Sequence, residues 1–211
     1  MTRAFEDIAF TDSVKAAQQR YGSRYNGLDR GEVRGDRLTE YEIDFLAERD
    51  SFYMASVGKN SGESAGENGW PYIQHRGGPK GFLKVLDDKT IGFADFRGNR
   101  QYISVGNLNA DDKVTLFIMD YPNRQRLKIW ARARIVDMET DADMVARLSV
   151  PGYPARVERG VILTVEALDW NCPQHITPRF SEEEVRKIVI PLLEENRELK
   201  EKLAHMTAHI D

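Results

Sequence analysis

The sequence predicts a mainly β, α+β domain: an antiparallel β-barrel with flanking helices and a separate C-terminal helix. Three observations carry this. Between residues 52 and 168 the chain offers five or six short runs rich in β-branched and aromatic residues, closely spaced. Few helical stretches separate them, so the crossovers that a parallel sheet needs are missing. After residue 180 the apolar period changes from two to that of a helix. The expected organisation is an arm over residues 1–35, a barrel domain over 36–180 and a helix over 181–211.

Residues 1–35 are polar and rich in Gly and Arg, with a helical patch at 14–19, and read as an arm packed onto the body. Thr39 stands at an N-cap, Glu40 and Glu42 fill the first turn, and Ile43, Leu46 and Ala47 follow at helical spacing; this helix is expected to run to about Asp50. Residues 52–57 form a strand-like run that ends in a Gly/Ser/Asn/Glu-rich stretch over 58–69, and residues 70–76 resume an extended pattern. Residues 82–86 and 90–96 flank the turn pair Asp87-Asp88. Residues 114–119 are apolar throughout. Residues 126–136, RLKIWARARIV, alternate apolar and basic, so one face is buried and the other is wet or lines a site. A helix is expected over 141–148 and a last strand over 161–168. Ser181 and Glu184 make a capping box for the final helix, on which Val185, Ile188, Val189, Leu192, Leu193, Leu199 and Leu203 form a stripe. Pro191 should kink or restart that helix.

The chain has 211 residues, favouring one domain plus appendages, and its 41% hydrophobic and 30% charged residues suit a globular protein. A net charge of -4 argues against a general nucleic-acid or membrane-surface binder, though not against a local basic pocket. With the single cysteine Cys172 no internal disulfide can form, which points to a reducing compartment. No run approaches the roughly 20 apolar residues of a membrane span, and the N-terminal residues lack a secretory pattern. The expected location is the cytoplasm.

Three segments concentrate unusual side chains. The first, Gln74-His75-Arg76-Gly77-Gly78-Pro79-Lys80-Gly81-Phe82, sets two cations beside glycines that let backbone approach a ligand, without the spacing of a Walker loop. A plain surface loop is the alternative. The second spans residues 95–107 and carries Arg97, Asn99, Arg100, Ser104 and Asn107 around a glycine turn. It offers the guanidinium forks and neutral donors that a phosphate wants, against the alternative of a decorated hairpin turn. The third, Trp170-Asn171-Cys172-Pro173-Gln174-His175-Ile176, combines a stacking face with several hydrogen-bonding groups. Cys172 and His175 lack an orienting third group for nucleophilic catalysis, and one cysteine with four scattered histidines makes no zinc site. No metal is expected. Of the arginines at 126, 132 and 134, which share one strand face, Arg132 and Arg134 read as solvated, and Arg126 is the better ligand candidate.

In combination and in this order, these pieces resemble the FMN-binding split-barrel family, in its pyridoxamine 5′-phosphate oxidase-related branch. The resemblance is carried by GWPYIQHRGGP from Gly69, FADFRGNRQYIS from Phe93, Gly106-Asn107-Leu108, Arg126-Leu127-Lys128-Ile129 and the later Asn171-Cys172-Pro173-Gln174-His175-Ile176. It implies a split barrel that dimerises with FMN in a groove between two subunits. The FMN phosphate of that family is held by an arginine on an early strand, matched by Arg76, and by a Gly-Ser-Arg-Lys turn, matched by Gly98-Asn99-Arg100-Gln101. Asn99 replaces the serine and Gln101 the lysine, so Arg76 and Arg100 are expected to carry more of the phosphate attraction. Ser104 and Asn107 are further implied donors, and Arg126 matches an arginine that reaches the flavin from the partner subunit. His75, Phe82, Asn171, Gln174 and His175 complete the implied cofactor-binding set. The C-terminal Arg-Leu-His-Asp-Arg motif with which the vitamin B6 oxidase grips its substrate is absent, so oxidation of pyridoxamine phosphate is not expected.

The implied function is a flavin-dependent oxidoreductase acting on a small molecule, with the cofactor carrying the chemistry, no side chain required as nucleophile, and His75 or His175 available to move a proton. The alternative is a protein that binds or senses flavin, haem or a deazaflavin without turnover. A third possibility is an interaction protein acting through the C-terminal helix.

Overall fold

The computed structural model describes residues 5–23, 35–59, 68–170 and 173–207. Asn171, Cys172 and most of the 58–69 stretch lie outside them. The chain divides into two compact units, Met1–Asp120 with Gln125–Cys172, and Tyr121–Arg124 with Pro173–Asp211.

The first unit holds one antiparallel sheet of seven strands: β1 Ser51–Lys59, β2 Asn68–Gly77, β3 Lys84–Asp87, β4 Thr90–Phe96, β5 Lys113–Asp120, β6 Gln125–Asp137 and β7 Val157–Trp170. Their order is β2-β1-β5-β6-β7-β4-β3. Period-two patterning sets the faces. On β6, Leu127, Ile129, Ala131 and Ala133 are buried, whereas Arg132 and Arg134 are exposed. On β1, Phe52, Met54 and Ser56 are buried, whereas Tyr53 and Val57 are exposed.

The sheet curls. Phe52 of β1 meets Phe93 of β4 edge-on at 5.3 Å, and Arg76 of β2 reaches Asp95 of β4, although neither pair of strands is adjacent in the sheet. The result is a split barrel filled by Leu116, Ile118, Leu127, Ile129, Leu163 and Val165. Each such side chain contributes about 1.5–3 kcal/mol by leaving water.

Helix α1 (Phe5–Ala9) lays the Phe5 ring on Trp130 at 5.9 Å, and α2 (Asp12–Arg20) covers the expected patch with Thr11 as N-cap. Helix α3 (Glu40–Ala47) stops short of Asp50 and buries Phe45 and Leu46. The Glu42 carboxylate accepts the Thr39 backbone N–H at 3.0 Å and the Trp170 indole N–H at 2.7 Å, tying α3 to the end of β7. Burial pushes the Glu42 carboxyl up, but these donors and the Thr39 hydroxyl outweigh it and hold the group below the usual range.

Helix α4 (Ile103–Ala110) stands where the sequence suggested only a polar turn. Its residues are poor helix formers, and packing decides the conformation instead: Ser104 and Leu108 are buried one turn apart, and the Asn107 amide donates to Ser56 Oγ of β1 at 3.1 Å. Helix α5 (Ala142–Leu148) occupies its expected place and starts a second core cluster with Ala94, Val136 and Ile162.

In the second unit, α6 (Glu182–Thr207) begins with the expected capping box: Ser181 N–H donates to Glu184 at 2.7 Å, and Glu184 N–H to Ser181 Oγ at 3.2 Å. Pro191 does not restart it; the helix is continuous through that position. No helix among the described residues is long and apolar enough to cross a membrane.

Candidate functional site

Across the split of the barrel opens a cleft of ≈ 320 Å³. Its walls are β2 (Tyr72, Gln74, Arg76), β4 (Phe93–Phe96), the connection 97–102, the first turn of α4 and the start of β7 (Glu158, Arg159). Strand register aims the β2 side chains. Tyr72, Gln74 and Arg76 stand opposite Ser56, Met54 and Phe52, all inward-facing, so they share the inner face. His75 pairs with outward-facing Tyr53, and its ring sits edge-on to that tyrosine at 5.4 Å. His75 borders the cleft from the other face of the strand.

The connection 97–102 is tightly folded. Asn99 Oδ1 accepts the Gln101 backbone N–H at 3.1 Å, an Asx-type turn, and Asn99 Nδ2 donates to Gln101 Oε1 at 3.2 Å. Arg100 (φ 62) and Tyr102 (φ 53) both occupy the left-handed region, at a cost of roughly 1–2 kcal/mol each. Tyr102 is the N-cap residue of α4 and makes no side-chain cap bond, so the first-turn N–H groups have no side-chain capping acceptor, and residues 102–105 line the cleft. These N–H groups and the positive end of the helix dipole favour an anion.

Four arginines, at 76, 97, 100 and 159, face two carboxylates. Asp95 Oδ1 accepts from Arg76 Nη1 at 2.5 Å, and Asp95 Oδ2 accepts from Arg159 Nη1 at 2.9 Å. Glu158 lies 3.3 Å from Arg159 and 3.7 Å from Arg97, and accepts the Tyr102 hydroxyl at 3.3 Å. Burial works against the charge of Arg159, but Asp95, the Tyr102 hydroxyl and Glu158 together outweigh it and its pKa is raised. The Tyr102 phenol raises that of Arg100. The cleft therefore keeps a positive excess. Within it, Arg76 Nε and Ser104 Oγ are buried without a hydrogen-bond partner, each a group whose desolvation calls for an acceptor or donor from elsewhere.

Of the residues singled out in the sequence, the cleft brings together His75, Arg76, Phe82, Arg97, Asn99, Arg100, Gln101 and Ser104. Asn107 is outside its lining, engaged with Ser56. Arg126 lies on β6 outside the lining as well, with a buried Nε that has no partner. Gln174 and His175 are exposed residues of the second unit, and Asn171 falls outside the described residues. Tyr72, Glu158 and Arg159 lay outside the segments singled out in the sequence, and Gln74, Asp95 and Tyr102 lay inside them without an assigned role. Arg159 could have been found by carrying the period-two pattern of the last strand backward from Val161, which puts it on the face of Val161 and Leu163. There it stands opposite Asp95 in the ladder.

Several solved structures resemble the chain at low identity. Streptococcal (Group A) HupZ is 15% identical, matches over 68% of this chain and 100% of its own, and has a TM-score of 0.48. A Lactobacillus delbrueckii protein named for pyridoxamine 5′-phosphate oxidase is 20% identical over 64% of this chain and 94% of its own, with a TM-score of 0.46. An FMN-binding protein from Syntrophomonas wolfei is 11% identical over 76% and 97%, with a TM-score of 0.45. No curated protein matches the chain. The family model for pyridoxamine 5′-phosphate oxidase matches residues 38–167, which take in the whole barrel from the approach to α3 to late β7. This chain belongs to the pyridoxamine 5′-phosphate oxidase family.

Proposed function

We propose that the cleft binds FMN and that the protein is a flavin-dependent oxidoreductase acting on a small molecule. One observation carries the reading: the cleft is lined by Arg76 and Ser104, whose buried Nε and Oγ have no partner, and by the first turn of α4, which has no side-chain cap. A phosphate monoester would supply acceptors to all three at once. Phe82, Phe93 and Tyr72 add the apolar and aromatic wall that a flavin needs beside its phosphate. FMN supplies hydride or electron transfer when bound. Arg76 and Arg100 attract and orient the phosphate, Ser104 and the α4 N–H groups donate to it, and Asp95 holds Arg76 and Arg159 in place beforehand. The reading extends to a homodimer in which Arg126, Gln174 and His175, outside the cleft lining of their own chain, serve the cofactor of a second copy. The single cysteine makes the cytoplasm the natural setting.

The test is an absorbance spectrum with mass identification of the copurifying ligand, followed by FMN and riboflavin titrations of the unsubstituted chain and of the Arg76→Gln/Arg100→Gln variant. The expected result is FMN in the purified protein and a selective loss of FMN affinity in the variant. A colourless protein that cannot be reconstituted, or a variant with full FMN affinity, refutes the proposal. The orientation of His75 onto Tyr53, away from the inner face of β2, favours a second reading in which flavin is bound without turnover. Flavin that NADH and NADPH fail to reduce would support it.

A further inference from the structure

Helix α6 carries an apolar seam whose spacing is that of a coiled coil. Val185, Val189, Leu192, Leu199 and Leu203 are separated by alternating steps of four and three once Asn196 is counted among them. They occupy d, a, d, d and a of a heptad, and Asn196 the intervening a. The apolar members are 40–63% exposed in the single chain, with Val189 at 40% and Leu203 at 63%. Pro191 falls at c, so the N–H it lacks is on the side away from the seam.

Charge placement identifies what covers the seam. Outside it, charges find partners on the helix itself: Arg186 binds Glu182 at 2.5 Å and Lys187 binds Glu183 at 2.7 Å, both one turn apart. Glu195 and Lys200 differ. The residues three and four positions from Glu195 are Pro191, Leu192, Glu198 and Leu199, and those around Lys200 are Asn196, Arg197, Leu203 and Ala204. Neither has an opposite charge within reach on its own helix. In the heptad they hold g and the following e, the two positions that meet across a parallel two-stranded coil. Ile188 and Leu193 hold the preceding g and e, so the same geometry pairs the two apolar flanks, 59% and 64% exposed. A parallel pair also sets Asn196 against its own copy, where two side-chain amides hydrogen-bond inside the seam and penalise shifted registers and higher oligomers.

We propose that α6 forms a parallel, in-register two-stranded coiled coil with α6 of a second copy of this chain. The coil does not depend on flavin binding and stands or falls whether or not the cleft takes FMN. From Val185 to Leu203 it is about 27 Å long, too short to be strong alone, and attachment to a second copy raises its local concentration.

Interchain disulfide formation in the full-length protein tests this. Leu199→Cys places thiols opposite each other across the seam, whereas Arg197→Cys, at an outward b position, does not. In a glutathione redox buffer, Leu199→Cys is expected to form covalent dimers at least about tenfold faster than Arg197→Cys, because only the former holds the Cβ atoms within disulfide reach. Equal rates, as an antiparallel pair or a helix folded back on its own chain would give, overturn the proposal. A second measurement uses differently tagged chains carrying Glu195→Lys or Lys200→Glu, co-expressed. Each homodimer then opposes like charges, and the mixed dimer restores both pairs. A several-fold excess of mixed dimer is expected, and a statistical mixture overturns the proposal.

Discussion

Replacement of Ser104 by alanine should move stability and ligand affinity in opposite directions. The hydroxyl lies in the first turn of α4, 4% exposed, at the lining of the cleft and without a hydrogen-bond partner. An unpaired buried hydroxyl costs about 1–3 kcal/mol, and Ser104→Ala deletes only that atom while improving helix propensity. The ligand-free protein should therefore gain about 1 kcal/mol, read as a rise in Tm of roughly 2–4 °C for a chain of this size. The same hydroxyl is assigned to the FMN phosphate, and a hydrogen bond to a charged group contributes about 1.5–3 kcal/mol, so FMN should bind roughly tenfold to a hundredfold more weakly. Riboflavin has no phosphate and should bind both proteins alike. The assay is thermal unfolding of apoprotein in phosphate-free buffer, with and without saturating FMN, beside flavin-fluorescence titrations. Without FMN the variant should melt higher; with FMN the order should reverse. Loss of apoprotein stability, or equal losses for FMN and riboflavin, would show that the hydroxyl is structural.

Asp95→Asn leaves Arg76 and Arg159, 18% and 15% exposed, without their shared counter-charge. Urea unfolding should show a loss of about 3–5 kcal/mol. Glu42→Gln removes the charge that receives Trp170 and Thr39 and should cost about 1–3 kcal/mol in the same measurement. Because the folded-state pKa of Glu42 is depressed, its contribution is complete above the unfolded pKa of about 4.3 and is lost as pH falls below it. Acid titration of the urea midpoint should accordingly be shallower in the variant. Gly92→Ala would bring a Cβ to 2.8 Å from Leu148 and 3.1 Å from the Val161 carbonyl, and should lower stability by about 1–3 kcal/mol through overpacking.

The strands of the barrel were legible because each repeats a local physical rule. Alternation over residues 126–136 sorted buried Leu127 and Ile129 from exposed Arg132 and Arg134 before any tertiary fact was known. Capping at Thr39 and Ser181 was equally local. Helix α4 was not legible, because Ile103-Ser-Val-Gly-Asn-Leu-Asn-Ala has little helical preference and is shaped by the packing of Leu108 and the Asn107–Ser56 bond. Arg76 and Arg100 stood out as cations beside glycines. Asp95 and Arg159 did not, because their meaning is the ladder register that sets them opposite each other, sixty-four residues apart in sequence.

That register bears on how the cleft can hold an anion. Four arginines with no counter-charge would repel one another and leave long side chains disordered, so that ligand binding would have to overcome their ordering entropy. Asp95, buried between Arg76 and Arg159, fixes both before anything binds and uses one nitrogen of each. Arg76 Nε is left buried with no partner. The carboxylate thus lowers the net positive charge but leaves a directed donor, and a phosphate gains more from a prepositioned donor than it loses to one neutralised charge only if it need not displace Asp95. Arg76→Lys separates the two possibilities. It keeps the charge and can keep the contact with Asp95, but it has no separate nitrogen at the place of Nε. If the Nε donor matters, FMN affinity should fall by about tenfold, the share of a single charged hydrogen bond. Retained affinity would mean that the phosphate senses only charge, and that Asp95 must move aside to let it in.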